Sequence, residues 1–207
     1  MTKIRGFTGD HERMNTFPLK NKNLIFIDLD GVVVDFLYPI IKKGFPYPKD
    51  YWFSNYSEEQ KRYVKSLFED EDFIFSLPPI EGAIESVYKL SEMGVFAGFL
   101  TSRTEKVKLA TLAWLDKYFS NLIFEVFFAE NKAQKIEELK RLLNKDSLIL
   151  VEDAPHFAEE VAQNKNLVFI VDYLYNRNIS NTKNIVRVSS LKEVISAVKV
   201  FSEESLW

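Results

Sequence analysis

The sequence contains no cysteine in its 207 residues. Disulfides and thiolate metal sites are thereby excluded, which fits a reducing compartment and makes the cytoplasm the expected location. Long hydrophobic runs are also missing. Every apolar stretch is shorter than the roughly 20 residues that span a bilayer, and residues 1–22, although charged, have no apolar h-region. They read as a loose leader ahead of the first strand, and no membrane partner is expected. An excess of one charge is missing too: 27 Lys and Arg face 30 Asp and Glu, a net charge of -3. That balance argues against a surface for a nucleic-acid polymer and leaves room for a local basic pocket for a small phosphate. Histidine is scarce: His11 lies in the leader, and His156 follows Pro155 at a helix start, where capping or surface roles are commoner than catalysis. Internal repeats and low-complexity segments are absent.

What is present is ordinary for one well-buried core, with 46% apolar and 28% charged residues. From residue 80 onward, short apolar runs alternate with segments of helical period, the pattern of a parallel sheet covered by helices. Strands are predicted at Leu24–Asp28, Val95–Leu100, Ile123–Phe128, Leu148–Val151 and Leu167–Val171, with a short last one at Ile185–Val188. Ile84, Val87, Tyr88 and Ser91 share one helix face, and Gly94 follows where a helix commonly ends. Trp114 and Leu115 belong to a second helix; Ile136, Leu139, Leu142 and Leu143 mark a third; Ser190 with Glu193 forms a capping-box pattern before the last.

Between Phe36 and Pro79 the alternation breaks into a segment rich in aromatics and charge. A helix is predicted from about Ser57 to Glu69, with Ser57 as its N-cap and Glu58 and Glu59 in the turn where the dipole favours acids. The expected organisation is an α/β core, 23–35 and 80–207, with a small helical cap, 36–79, inserted after strand one.

The run "NLIFIDLDGVVVDF" sets Asp28 and Asp30 inside apolar sequence, where carboxylates are costly unless paired, hydrogen-bonded or bound to metal. Two residues apart in an extended chain, they share a face, and Gly31 permits a sharp turn. A strand entering an Asp-Gly turn explains Asp30 and Gly31 and leaves Asp28 unaccounted for. An EF-hand loop would need a third Asp or Asn before its glycine and a late Glu, and its flanks would be less apolar.

Ligands of open parallel sheets bind beyond the carboxyl ends of the strands. Those ends carry Asp28 and Asp30, Thr101 and Ser102 in "FLTSR", Lys132 in "AENKAQK", and Glu152 and Asp153 in "LVEDAP". With a phosphate ester as substrate each has a role. Asp28 can attack phosphorus, and Asp30 can carry protons for the leaving group and for water. Magnesium, which prefers oxygen ligands, would be held by Asp28, the Asp30 carbonyl and Asp153. Thr101 or Ser102 can hold phosphoryl oxygens while Lys132 balances charge, although Lys135 lies on the same helix face. Thr101 and Ser102 also suit a plain polar turn, and Glu152 suits a partner that orients a lysine or a metal-bound water.

This set resembles the haloacid dehalogenase-type phosphohydrolases, with their D-x-D-G motif, strand-end Thr or Ser, Lys and terminal acidic pair. Within that superfamily, "DLDGVVVDF", "FSLPPIEGAIESVYKL", "LTSR", "ENKAQK", "LVEDAPHF", "DYLYNRN" and "RVSSLKEV" resemble the 5'-deoxyribonucleotidase family. The resemblance implies a three-layer Rossmann-like core and a Mg2+-dependent phosphomonoesterase acting on 5'-nucleoside monophosphates through an aspartyl-phosphate. It implies Asp28 as nucleophile, Asp30 as acid/base, Thr101, Ser102 and Lys132 as phosphate ligands, and Asp153 as a metal ligand. Three positions depart from the family pattern: Arg103 stands where Pro is common, Asn131 where Asp is usual before the lysine, and Glu152 where Asp is common. Arg103 has the fork that suits an oxyanion and joins the phosphate-binding candidates.

Phe36 and Trp52 are singled out from the aromatics of the inserted segment as substrate-pocket walls, since flat rings stack on nucleobases, although such clusters also serve as a small domain's own core. Tyr175, Asn176 and Arg177 form either a turn after strand five or a brace for the site. The competing readings are a phosphatase for another small phosphate ester and an inactive nucleotide-binding protein. A receiver domain is disfavoured because its acceptor Asp would end strand three, where Ala129 and Glu130 stand. A homodimer is the one assembly expected.

Overall fold

Alternation of apolar residues along the first strand splits the core in two. In a computed structural model describing residues 24–204, β1 (Ile25–Ile27) sends Ile25 and Ile27 to one side of a sheet and Leu24 and Phe26 to the other. The leader expected at 1–22 lies outside the described residues. The other strands are β2 (Phe96–Thr101), β3 (Glu125–Phe128), β4 (Ile149–Glu152), β5 (Leu167–Val171) and β6 (Ile185–Val188). All pair in parallel in the order β3-β2-β1-β4-β5-β6, so their carboxyl ends share one edge. β1 lies in the middle, flanked by β2 and β4, and this adjacency brings the sequence-distant acids together.

The described residues form eight α-helices: α1 (Leu37–Lys42), α2 (Glu58–Leu67), α3 (Glu71–Ser76), α4 (Ala83–Glu92), α5 (Lys108–Phe119), α6 (Lys132–Leu143), α7 (Pro155–Gln163) and α8 (Leu191–Glu204). Val87 and Leu90 of α4, Trp114 and Leu115 of α5, and Val194 and Val198 of α8 bury against the Ile25/Ile27 face. Ile136 and Leu139 of α6 with Ala158 and Val161 of α7 bury against the Phe26 face. The result is the three-layer α/β architecture that the alternation predicts. No helix among the described residues is long and apolar enough to cross a membrane.

Several boundaries differ from the sequence-based ones. β1 stops at Ile27, although the Asp28 N–H still donates to the Val151 carbonyl at 2.9 Å. β2 runs on to Thr101, and β4 to Glu152. β3 begins at Glu125, because Ile123, apolar but 91% exposed, lies outside the sheet. Ahead of α8 the Glu193 carboxylate accepts from the Ser189 N–H at 2.6 Å, one residue earlier than the Ser190–Glu193 box requires.

Helices α1 to α3 form the excursion between β1 and α4. Its two ends are zipped together: the Asp35 N–H donates to the Pro78 carbonyl at 2.9 Å and the Ile80 N–H to the Val33 carbonyl at 2.8 Å. Ser57 and Gln60 build a reciprocal capping box at the start of α2, which the Ser57 N-cap anticipates. Tyr56, Val64, Leu67 and Ile74 join the same apolar cluster as the sheet, so the excursion has no separate core. The buried Trp114 indole donates to the Leu77 carbonyl at 2.8 Å and fixes the returning chain to α5.

Candidate active site at the carboxyl edge of the sheet

The tight turn after β1 makes the site. The Val32, Val33 and Val34 N–H groups all point at the Leu29 carbonyl, while Gly31, at φ +74, donates to the Val34 carbonyl. An Asp-Gly turn does form here, yet no adjacent antiparallel strand follows, so the hairpin alternative is incomplete. Gly31 is needed for space as well as for φ: a Cβ there would overlap the carboxylate of Asp153. Gly31→Ala should therefore displace Asp153 and cost about 1–3 kcal/mol through the positive φ alone. We expect a lower Tm, and the loss in kcat of the activity proposed below to exceed that of a surface Gly44→Ala control. Equal losses in the two variants would mean that the close approach has no function. Gly44 is a fair control for space, since nothing lies within 4 Å of its Cβ position.

At the sheet edge the structure gathers Asp28, Lys132, Glu152 and Asp153, all buried. Lys132 Nζ lies 2.9 Å from Asp28 Oδ1 and 2.7 Å from Glu152 Oε2. The other Glu152 oxygen accepts from the backbone N–H groups of Asp153 and Ala154, both at 3.0 Å. Of the two lysines on the α6 face, Lys132 is the one in the cluster; Lys135 pairs with Glu138 at 2.8 Å on the surface. Glu152 accepts a hydrogen bond from this lysine.

The charges do not balance. Burial would discharge the Lys132 ammonium, but Asp28 and Glu152 outweigh it and hold the pKa above that of an ordinary lysine. Glu152 lies below the usual glutamate range: burial raises it, and Lys132 and the backbone donors more than offset that. Asp28 is pushed well up by burial, then by Glu152, with Lys132 opposing. Asp153 is pushed well up by burial, then by Glu152 and Asp28. Three carboxylates thus share one ammonium.

One oxygen from each of Asp28, Glu152 and Asp153 lies within 4.8 Å of the others. The Asp28 Oδ1 contact with Lys132 is ionic and not aligned as a hydrogen bond, which leaves this buried oxygen without a hydrogen-bond donor. A buried, all-oxygen donor set in which three carboxyl groups share one ammonium fits a hard divalent cation such as Mg2+.

The polar loop after β5 braces this cluster. The Tyr175 hydroxyl donates to Asp153 Oδ2, and Asn176 Nδ2 donates to the Asp153 carbonyl at 2.8 Å. Arg177 instead pairs with Asp172 at 2.7 Å. Arg187 of β6 was not singled out from the sequence. It ties the loop down by donating to the Asn176 side chain at 2.6 Å and to the Asn176 and Ile179 carbonyls at 3.0 and 2.7 Å. A cation inside the apolar run Ile185–Val188 was the available signal, because such a charge needs partners.

Asp30 is only partly covered, its side chain 18% exposed, and lies in the grip of Arg103. Arg103 Nε donates to Oδ2 at 2.8 Å and Nη2 to Oδ1 at 2.6 Å. The guanidinium placed among the phosphate-binding candidates thus turns its two-point fork to the second acid. Thr101 is buried at the end of β2, with Ser102 half-buried beside it.

A cavity of about 460 Å³ opens above these groups. Asp28, Asp30, Ser102, Arg103 and Asp153 line it, Phe36, Tyr51, Trp52, Phe53, Val64 and Phe68 supply apolar wall, and Asp50, Lys61, Lys65 and Glu69 add charge. Phe36 is buried against Phe68, with ring centroids 5.5 Å apart, while Trp52 is 67% exposed and sits 5.1 Å from the His156 ring. Both aromatics singled out in the sequence line the cavity, together with Tyr51 and Phe53. His156 packs on aromatic rings and contacts none of the acids through a hydrogen bond.

No family model matches the chain. A protein of Oceanobacillus iheyensis provisionally named a nucleotidase is 29% identical over 126 residues. The match covers 59% of this chain and 65% of that protein, just under two-thirds of the relative's length. Among solved structures, a haloacid dehalogenase-like hydrolase family protein from Streptococcus pneumoniae superposes with a TM-score of 0.56 at 14% identity, covering 85% of this chain and 98% of the other. D,D-heptose 1,7-bisphosphate phosphatase from B. bronchiseptica, complexed with magnesium and phosphate, gives 0.59 at 12% identity over 88% and 99% of the two chains. A hydrolase from Deinococcus radiodurans with bound phosphate and sodium gives 0.58 at 13% identity over 86% and 96%.

The fold is that of the haloacid dehalogenase-like hydrolases. On a haloacid dehalogenase-like sheet the acids, Lys132 and the strand-end hydroxyl occupy the carboxyl edge, where such a sheet binds ligands. The homodimer expected from the sequence finds no support.

Proposed function

We propose that this protein is a divalent-metal-dependent phosphomonoesterase that hydrolyses 5'-nucleoside monophosphates to nucleoside and phosphate. The observation that carries the reading is the buried Asp28–Lys132–Glu152–Asp153 cluster opening, beside Asp30, into an aromatic-walled cavity. The provisional name of the 29%-identical relative favours a nucleotide among small phosphate esters.

A cation held by Asp28, Asp153 and the Asp30 carbonyl would supply positive charge that screens the phosphate from the carboxylates. An Asp28 oxygen bonds to phosphorus as the bond from phosphorus to the ester oxygen breaks, leaving an aspartyl-phosphate. Asp30 gives the departing oxygen a proton and later takes one from the water that attacks the phosphoryl group. Inorganic phosphate leaves and the Asp28 carboxylate is restored. Lys132 stays charged throughout, held by Glu152, and with Thr101 and Ser102 offsets charge on the phosphoryl oxygens. Helices α1 to α3 act as the cap, and Phe36, Trp52 and their aromatic neighbours provide a face for the nucleobase.

The test is phosphate release from 5'- and 3'-nucleoside monophosphates, ribo and deoxy, beside sugar phosphates and an aryl phosphate, with Mg2+ and with a chelator. Metal-dependent release concentrated on 5'-nucleotides is expected. Release from the aryl phosphate and no nucleotide would overturn the substrate while keeping the chemistry, and no release from any ester would overturn both.

A further inference from the structure

Arg103 is the strongest unexplained feature of the site. Its side chain is only 2% exposed, and each donor nitrogen has a partner: Nε and Nη2 hold the two oxygens of Asp30, and Nη1 donates to Thr111 Oγ1 at 3.1 Å. The Thr111 hydroxyl in turn donates to the Val107 carbonyl at 2.8 Å, one turn back at the start of α5. The residue's main chain is anchored as well, since the Arg103 backbone N–H donates to Thr101 Oγ1 at 3.2 Å. A chain of hydrogen bonds therefore runs from α5 through Arg103 to Asp30, with the strand-end hydroxyl of Thr101 attached to it.

We propose that Arg103 is the positioning residue for Asp30, fixing the orientation of its carboxylate toward the ester oxygen and the attacking water, and is not a ligand of the substrate phosphate. An aspartate on a turn rotates about two side-chain bonds, and a two-point guanidinium fork removes both freedoms. A proton carrier must meet its target within hydrogen-bond reach, and a displacement of about 1 Å costs up to roughly a hundredfold in rate. A residue dedicated to phosphate would aim its two-point fork at the cavity, whereas the Nε–Nη2 fork of Arg103 is closed on Asp30. This role rests on the proposed reading of Asp30 as the proton carrier.

The experiment is a double-mutant cycle in kcat and KM on the best phosphate ester found for the wild type. Arg103→Gln should lower kcat by about tenfold to a hundredfold and leave KM, and inhibition by inorganic phosphate, within about twofold. Arg103→Lys, which keeps the charge without the fork, should restore only part of kcat. In an Asp30→Asn background Arg103→Gln should have little further effect, because the group it positions is gone. Thr111→Val, which leaves the guanidinium in place without its anchor, should lower kcat in the same direction, and supplies the reading if Arg103→Gln fails to fold.

A rise in KM and in the phosphate inhibition constant that persists in the Asp30→Asn background would make Arg103 a phosphate ligand and overturn the proposal. So would unchanged kcat in Arg103→Lys and Thr111→Val. Wild-type turnover with either of these results defeats this inference alone. Absence of wild-type turnover on any ester defeats the proposed function, and the positioning role falls with it.

Discussion

Asp28→Asn should abolish phosphate release while leaving the fold intact or slightly firmer. The substitution keeps the shape of the side chain and removes the oxygen that would bond to phosphorus, so no alternative nucleophile of similar placement remains. The cluster loses one of three buried carboxylates, the one whose charge is opposed by burial and by Glu152. Lys132 keeps Glu152 at 2.7 Å and is not stranded. The expected outcome is a fall in kcat of more than about a hundredfold with an equal or higher Tm. Activity above about a hundredth of the wild type would contradict the assignment of the nucleophile.

Lys132→Met should damage both stability and turnover, and the two effects separate. The lysine is wholly buried between Asp28 and Glu152, and methionine fills similar volume without charge. Removing one partner from a buried ionic cluster strands the others, typically at a cost of about 3–5 kcal/mol. In a chain of this size that corresponds to a Tm lower by about 10 °C. Adding Glu152→Gln should restore part of the lost Tm, since it relieves one stranded charge, and none of the lost activity. Lys135→Ala is the control: its surface pair with Glu138 should be worth at most about 1 kcal/mol. Equal Tm changes in Lys132→Met and Lys135→Ala would mean that the buried cluster is not held together by this ammonium.

The sheet and its edge were legible from residue 80 onward because two local signals, apolar runs and helical period, agree there. The strand ends hold the candidate cluster, so the positions of Asp28, Asp30, Thr101, Lys132, Glu152 and Asp153 on one edge followed from knowing where each strand stops, even where a boundary was off by a residue. α1 and α3 were not legible: each is six residues long, too short to show a period above the noise of an aromatic-rich segment. Ser57 with Glu58 and Glu59 made α2 readable by comparison.

Partnerships across long stretches of chain were the least legible. Arg103 and Asp30 are 73 residues apart, and nothing local says that the fork turns to an acid instead of a phosphate. The Tyr175 and Asn176 brace was visible only as one of two options, and Arg187, which holds it, was passed over inside a short strand. In each case the side chain's role is set by which strand lies next to which, a property of the sheet order and not of the neighbouring sequence.

The most direct test of the central claim needs no knowledge of the substrate. Beryllium fluoride in the presence of Mg2+ mimics a phosphoryl group by bonding to a reactive carboxylate oxygen, and bound fluoride is read by 19F NMR. The account predicts a bound set of fluorine resonances in the wild type that disappears on chelation and is absent from Asp28→Asn, with Asp30→Asn retaining it. No bound fluorine in the wild type, or the same resonances in Asp28→Asn, would contradict an Asp28-centred phosphoryl-transfer site.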